Sequence, residues 1–342
     1  MTDNKELEIK IALWGGSGTG KTTYLSALRV AMLRDTEGQW NINGRDDLQG
    51  GSSEFVATNT SNLLRGHFPP GTEGRGESVV CTISGILNLD TISTIFNMAR
   101  YGTNRVNFDL YVKDYPGHTL LTSPHGDPFW DYLAECQGLI YLYDPLLDET
   151  ETEATNYEYL QKALDFISTA VKINEDRHQL PDILPHYIAV CITKFDHPAT
   201  FQRLQDADLV SLDATGTPYV PDSAAAFRLL ADELVVNTLE RSFHKDRIRY
   251  FVTSAVGFYT GPEGQVDLND CYNIIHTTEG TRIRGEARPI NVFEPLIWIA
   301  SQKRYPQLVL ATRRTLPVVQ EHIRKLQAGF FAKLAELKDK IK

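Results

Sequence analysis

The eight residues Gly15-Gly-Ser-Gly-Thr-Gly-Lys-Thr22 carry the plainest chemistry in the chain. They match GxxxxGK[ST], follow the apolar run Ile9, Ile11, Ala12, Leu13 and Trp14, and open onto the helical pattern Thr23-Tyr-Leu-Ser-Ala-Leu-Arg-Val-Ala-Met-Leu33. A strand, a glycine loop and a helix in that order form a phosphate cradle. Gly15, Gly16, Gly18 and Gly20 let the backbone turn its N–H groups inward, and the helix N-terminus adds partial positive charge. Ser17, Thr19 and Thr23 belong to the same cradle. Lys21 is expected to reach the β- and γ-phosphates, and Thr22 to ligate Mg²⁺.

A phosphate loop does not choose a base. Thr193-Lys-Phe-Asp196 does, because it ends the buried-strand run His186-Tyr-Ile-Ala-Val-Cys-Ile192 at the edge where open α/β sheets bind ligands. Asp196 can accept from both N1–H and the exocyclic amine of guanine, a donor pair that adenine lacks. The stem of Lys194 can lie over the purine, and the Thr193 hydroxyl is expected to tie the motif back to the phosphate loop. DxxG occurs several times, but only Asp114-Tyr-Pro-Gly117 ends an alternating apolar run, Val106, Phe108, Leu110, Val112. There Asp114 would hold Mg²⁺ through a water, and the Gly117 N–H would meet the γ-phosphate.

Elements must bring these motifs together. Periodicity predicts strands near 8–14, 78–88, 106–113, 138–143, 186–192 and 248–253, and helices near 21–34, 53–65, 127–136, 156–173, 223–241 and 291–302. Such alternation implies an α/β, three-layer sandwich around a mostly parallel, six-stranded sheet.

In chain order the motifs Gly15–Thr22, Asp114–Gly117, Thr193–Asp196 and Thr253-Ser-Ala255 resemble the translation-factor-related (TRAFAC) class of P-loop GTPases. The stretch 9–33 and Phe68-Pro-Pro-Gly-Thr72 also resemble bacterial GTPases of conflict and signalling operons. The resemblance implies that the strand at 78–88 runs antiparallel at the sheet edge. It implies that Ala255, helped by Ser254, offers an N–H to guanine O6, and that His118 positions the attacking water. It implies a first-switch threonine, for which Thr72 is the candidate and Thr82 the alternative, with Arg75 as a built-in charge-stabilising residue. Thr193 departs from the family's usual Asn. GTP or GDP with Mg²⁺ is the implied ligand set, and a switch acting on a protein effector the implied role.

The bulk properties bound the rest. With 34 basic and 44 acidic residues the net charge is −10, which argues against generic nucleic-acid binding. Cysteines 81, 136, 191 and 271 form no CxxC pair, and no run of eighteen apolar residues exists, so neither a zinc site nor membrane insertion is expected. The opening residues lack signal-peptide character, and the expected location is cytoplasmic. Residues 1–305 read as the nucleotide-binding domain, with insertions at 35–77, 197–222 and 257–289. The first enlarges the first switch, the second is an irregular loop, and the third contains a hairpin. Residues 306–342 read as an amphipathic helix, with a heptad-like apolar seam at 316, 319, 323, 326, 330, 334, 337 and 341. That seam packs on its own domain or docks a partner or a second copy. Two other readings remain open. One is an ATPase that uses Asp144, at the end of Leu139-Ile-Tyr-Leu-Tyr-Asp144, to hold Mg²⁺; the other is a nucleotide-bound assembly scaffold with little turnover.

Overall fold

The structure, a computed structural model, describes residues 8–34, 40–47, 51–70, 77–86, 105–114, 128–149, 154–174, 183–261, 264–278 and 280–304. The chain divides into two compact units, Met1–Ala300 and Ser301–Lys342. The candidate tail helix, Thr72, Arg75, Gly117 and His118 lie outside the described residues.

In the first unit a seven-stranded sheet has the order β2-β3-β4-β1-β5-β6-β9. Its members are β1 (Glu8–Gly15), β2 (Asn41–Gly44), β3 (Glu77–Ile86), β4 (Arg105–Asp114), β5 (Gly138–Tyr143), β6 (Tyr187–Ile192) and β9 (Ile248–Val252). Strands β4, β1, β5, β6 and β9 run parallel, while β3 is antiparallel to β4 and β2 antiparallel to β3. Alternation along the strands feeds two cores. Trp14, Tyr141, Tyr143, Val190 and Ile192 face one, and Ile11, Leu13, Ile140, Leu142 and Cys191 face the other. Both faces of β5 and β6 are covered, so all six residues of β5 are buried, as expected for central parallel strands. The first core is closed by α3 (Pro128–Glu135), α4 (Asn156–Asn174), α6 (Ser223–Leu230) and α7 (Glu233–Ser242), and the second by α1 (Lys21–Arg34) and α2 (Ser52–Leu64).

Four expectations need correction. The sheet has seven strands, not six, because the 35–77 insertion supplies β2 as well as α2. Strand β2 is therefore the edge, and β3, though antiparallel as expected, lies inside it. Only Ile42 of Asn-Ile-Asn-Gly is buried, so the strand has no periodic apolar signal; a short polar strand suits an exposed edge. Residues 197–222 are not irregular. They contain α5 (Pro198–Asp206), started by His197, whose Nδ1 accepts from Ala199 N–H with proline at the first turn, and a small pair β7 (Ser211–Leu212) and β8 (Pro218–Tyr219). The predicted helix 223–241 is two helices, because the Asp232 carboxylate accepts from Leu234 N–H and starts α7 afresh. The 257–289 insertion does hold a hairpin, β10 (Ile274–Thr277) with β11 (Gly280–Ile283). A last helix, α8, spans Glu294–Arg304.

Candidate functional site

Strand β1 ends at Gly15 and α1 begins at Lys21, so the loop between them sits at the carboxyl edge of the parallel strands. Two glycines there are required by geometry. A Cβ on Gly15 would stand 2.8 Å from the Leu142 carbonyl oxygen of the neighbouring strand, and Gly20 has φ +88°. The Thr19 hydroxyl donates to Gly16 O at 2.9 Å, which closes the loop. The buried Lys21 ammonium donates to Gly15 O (3.3 Å) and Gly16 O (2.9 Å), so it is folded into the cradle. In β4 the register pairs Val112 with Leu13 of β1, which places Asp114 level with the start of the loop. Thr22, the second residue of α1, carries a hydroxyl, a hard oxygen donor of the kind that suits Mg²⁺.

The other end of the site is built at the ends of β6 and β9. Lys194 adopts φ +58°, an uncommon backbone for a side-chain-bearing residue. Its ammonium pairs with Asp144 Oδ2 at 2.5 Å; the Asp144 side chain is 2% exposed and that of Lys194 is 38% exposed. The second Asp144 oxygen accepts from Leu146 N–H at 3.0 Å. Both oxygens are thus engaged in shaping the base-side loop, which weighs against Asp144 as a metal-holding acid. The Thr193 hydroxyl donates to Tyr143 O at 3.1 Å. It therefore ties the motif to the end of β5 and not to the phosphate loop as expected; the backbone Thr193 N–H uses the same carbonyl.

Asp196 is buried, and its Oδ1 accepts from the Ser254 hydroxyl. Ser254 Oγ in turn accepts from Gly257 N–H at 2.7 Å, so the hydroxyl that orients the carboxylate is itself held in place. Burial pushes the Asp196 carboxyl up to about 6; the Ser254 hydrogen bond and the Lys194 charge oppose this. The sign follows. Between about 4 and 6 the folded chain keeps a proton that the unfolded chain has lost, so this group's contribution to stability falls as pH rises through that window. A guanine edge needs the ionised form, so affinity for GDP is expected to rise with pH and level off above about 6. Isothermal titration at pH 5 and pH 7.5 should differ by about tenfold; equal affinities would separate Asp196 from the base.

One cavity of about 790 Å³ joins the two ends. Its lining includes Ser17, Gly18, Thr19, Gly20 and Thr23 of the phosphate loop, Thr193, Lys194 and Asp196 of the second motif, and Ala255 beside Ser254. Gly15, Gly16, Lys21, Thr22 and Ser254 stand behind that lining as neighbours in chain. The cavity also contains Phe68 and Asp144, which the sequence offered in other roles, and Tyr24, His197, Ile274, His276 and Thr281, which it did not single out. Tyr24 was visible only as a helix residue, yet its hydroxyl donates to Val292 O at 2.6 Å and pins α1 to the segment before α8. Among the described residues no helix is long and apolar enough to cross a membrane.

No family model matches the sequence, and no curated protein matches it. Among solved structures, the signal recognition particle receptor SRb-GTP/SRX complex from Chaetomium thermophilum is 15% identical with a TM-score of 0.33, over 74% of this chain and 93% of that one. The S. cerevisiae Ski7 GTPase-like domain, bound to GTP, is 12% identical with a TM-score of 0.39, over 88% and 51%. The Arl6 BBS3 small GTPase from Trypanosoma brucei with GppNp is 10% identical with a TM-score of 0.30, over 88% and 99%. The chain thus spans about half the length of the yeast chain. The fold class rests on the chain's own strand order, its antiparallel β3 and the loop between β1 and α1. It is an α/β fold with a mostly parallel sheet whose first strand and first helix are joined by the glycine-rich loop.

Proposed function

We propose that this chain binds guanine nucleotide, hydrolyses GTP to GDP and phosphate, and changes its binding to a partner with the nucleotide state. The observation that carries the reading is one cavity with a phosphate loop at one end and the buried, Ser254-oriented Asp196 at the other. Lys21 would leave the loop carbonyls for phosphate oxygens and offset charge developing on the γ-phosphoryl group. His118 would orient the attacking water, and the Gly117 N–H would register the γ-phosphate. Thr22 and Asp114 would hold Mg²⁺, with Thr72 added from the first switch; the ion's chemistry there is neutralisation of β- and γ-oxygen charge.

The buried free thiols at 81, 136, 191 and 271 suit a reducing, cytoplasmic setting. The reading takes residues 1–305 as the GTPase domain and 306–342 as the helix that docks a protein effector or a second copy. It includes neither nucleic-acid binding nor membrane insertion.

The test is direct. Labelled GTP should bind the purified chain and be displaced by GDP but not by ATP; displacement by ATP at equal concentration sinks the proposal. Release of phosphate should then fall in His118→Ala with GTP affinity little changed. Unchanged hydrolysis in that variant removes His118 from the mechanism while leaving the binding reading intact.

A further inference from the structure

The residues that would meet the two ends of a nucleotide lie beyond the strands that carry them. Strand β1 ends at Gly15, before Lys21; β6 ends at Ile192, before Asp196; and β9 ends at Val252, before Ser254. Strand pairing therefore sets the coarse spacing of these loops, not the position of their tips. On the base side the tips are tied to each other. Phe195 N–H donates to Thr253 O at 3.2 Å, and the Ser254 hydroxyl holds Asp196. The phosphate side needs a tie of its own.

Segment 288–292, which leads from the 257–289 insertion to α8, supplies it. Arg288 N–H donates to Val256 O at 2.9 Å, and Ile290 and Ser254 exchange N–H···O bonds of 2.8 and 3.0 Å. The approach is so close that a Cβ on Gly257, at φ +68°, would stand 2.0 Å from Arg288 O, which requires glycine there. Asn291 then turns the chain at φ +55°, a conformation that asparagine tolerates better than most residues. Its Nδ2 donates to Val252 O at 3.2 Å. The next residue, Val292, is buried, and its carbonyl accepts the Tyr24 hydroxyl at 2.6 Å. Tyr24 belongs to the first turn of α1, where its N–H donates to Gly20 O at 2.7 Å, and its side chain lines the cavity. Lys21 and Thr22 precede it on that turn. One chain of bonded residues thus runs from Asp196 through Ser254, Ile290 and Val292 to the start of α1.

A ligand that bridges two subsites gains over its separate halves only as far as those subsites are already held at its span. We propose that Tyr24 is a positioning residue whose hydroxyl, acting through segment 288–292, fixes the span between the phosphate loop and the base-reading Asp196. This deepens the guanine-nucleotide reading and rests on it. Phenylalanine at this position would keep the ring in the second core and remove the atom that makes the tie. The buried Val292 carbonyl would lose that donor, and the two ends of the cavity would be free to drift apart.

The experiment is displacement of fluorescently labelled GDP from the full chain by guanosine, by inorganic triphosphate and by GTP. It compares the parent with Tyr24→Phe, Asn291→Gly and the double variant. Each single variant should bind GTP about 10-fold more weakly, the scale of coupling between two sites. Guanosine and triphosphate, which each fill one end, should bind as they do to the parent. Both substitutions cut one tie, so the double variant should lose no more than either alone. Parent-like GTP affinity in both single variants overturns the positioning role. So does a parallel loss for guanosine or triphosphate, which would show damage within one subsite, and so do additive losses in the double variant. Failure of the parent chain to bind any guanine nucleotide overturns the role together with the reading beneath it.

Discussion

Asp196→Asn is expected to lower affinity for GTP and GDP by about 10²- to 10⁴-fold and to raise affinity for xanthosine nucleotides. Two charge-assisted hydrogen bonds, each about 1.5–3 kcal/mol, are at stake. The amide turns a donor toward the guanine amine, whereas xanthine presents an oxygen at that position. The change should not act by unfolding. The carboxylate is buried with its titration pushed up to about 6, so a neutral side chain of the same shape removes a charge that burial disfavours. Competition of GTP and XTP for a labelled nucleotide, alongside thermal unfolding of the free protein, separates the two effects. An unaltered guanine preference in a folded variant means that another group reads the base.

The second large effect concerns the pair Lys194–Asp144. Lys194→Ala strands a carboxylate that is 2% exposed. Breaking a fully buried pair costs about 3–5 kcal/mol; with Lys194 partly in solvent, the expected loss is about 2–3 kcal/mol. Asp144→Ala should cost less stability but release the Lys194 stem and weaken GTP binding by about tenfold. The double variant should be more stable than Lys194→Ala alone, because the lone charge is gone. Urea unfolding of all four proteins reads this as a double-mutant cycle. Additive losses would show that the pair is not coupled.

The phosphate loop and the Thr193–Asp196 motif could be placed from sequence because each follows an unbroken apolar run, and such runs become central strands. The ends of β1, β5 and β6 were legible for the same reason. Four things were not. Strand β2 has one buried residue, and its pairing to β3 is a long-range event that no local period records. Helix α5 starts on a histidine followed by proline, a weaker signal than the Asp caps of α6 and α7. Asp144 meets Lys194 across a sequence separation of 50, and Phe68 and Ile274 come to line one cavity from distant parts of the chain, so their roles arise only when the sheet forms. The Thr193 hydroxyl was aimed at the wrong neighbour because the sequence does not say which carbonyl lies across the next strand.

The cavity's two walls are rooted in different hydrophobic cores, the α5 side in one and the hairpin side in the other. A ligand filling the gap would act as a cross-brace between the two halves of the molecule, and mass action would convert its affinity into resistance to melting. At a thousandfold excess over its dissociation constant the gain is about 4 kcal/mol, enough to make nucleotide supply a determinant of how long the folded chain survives heat.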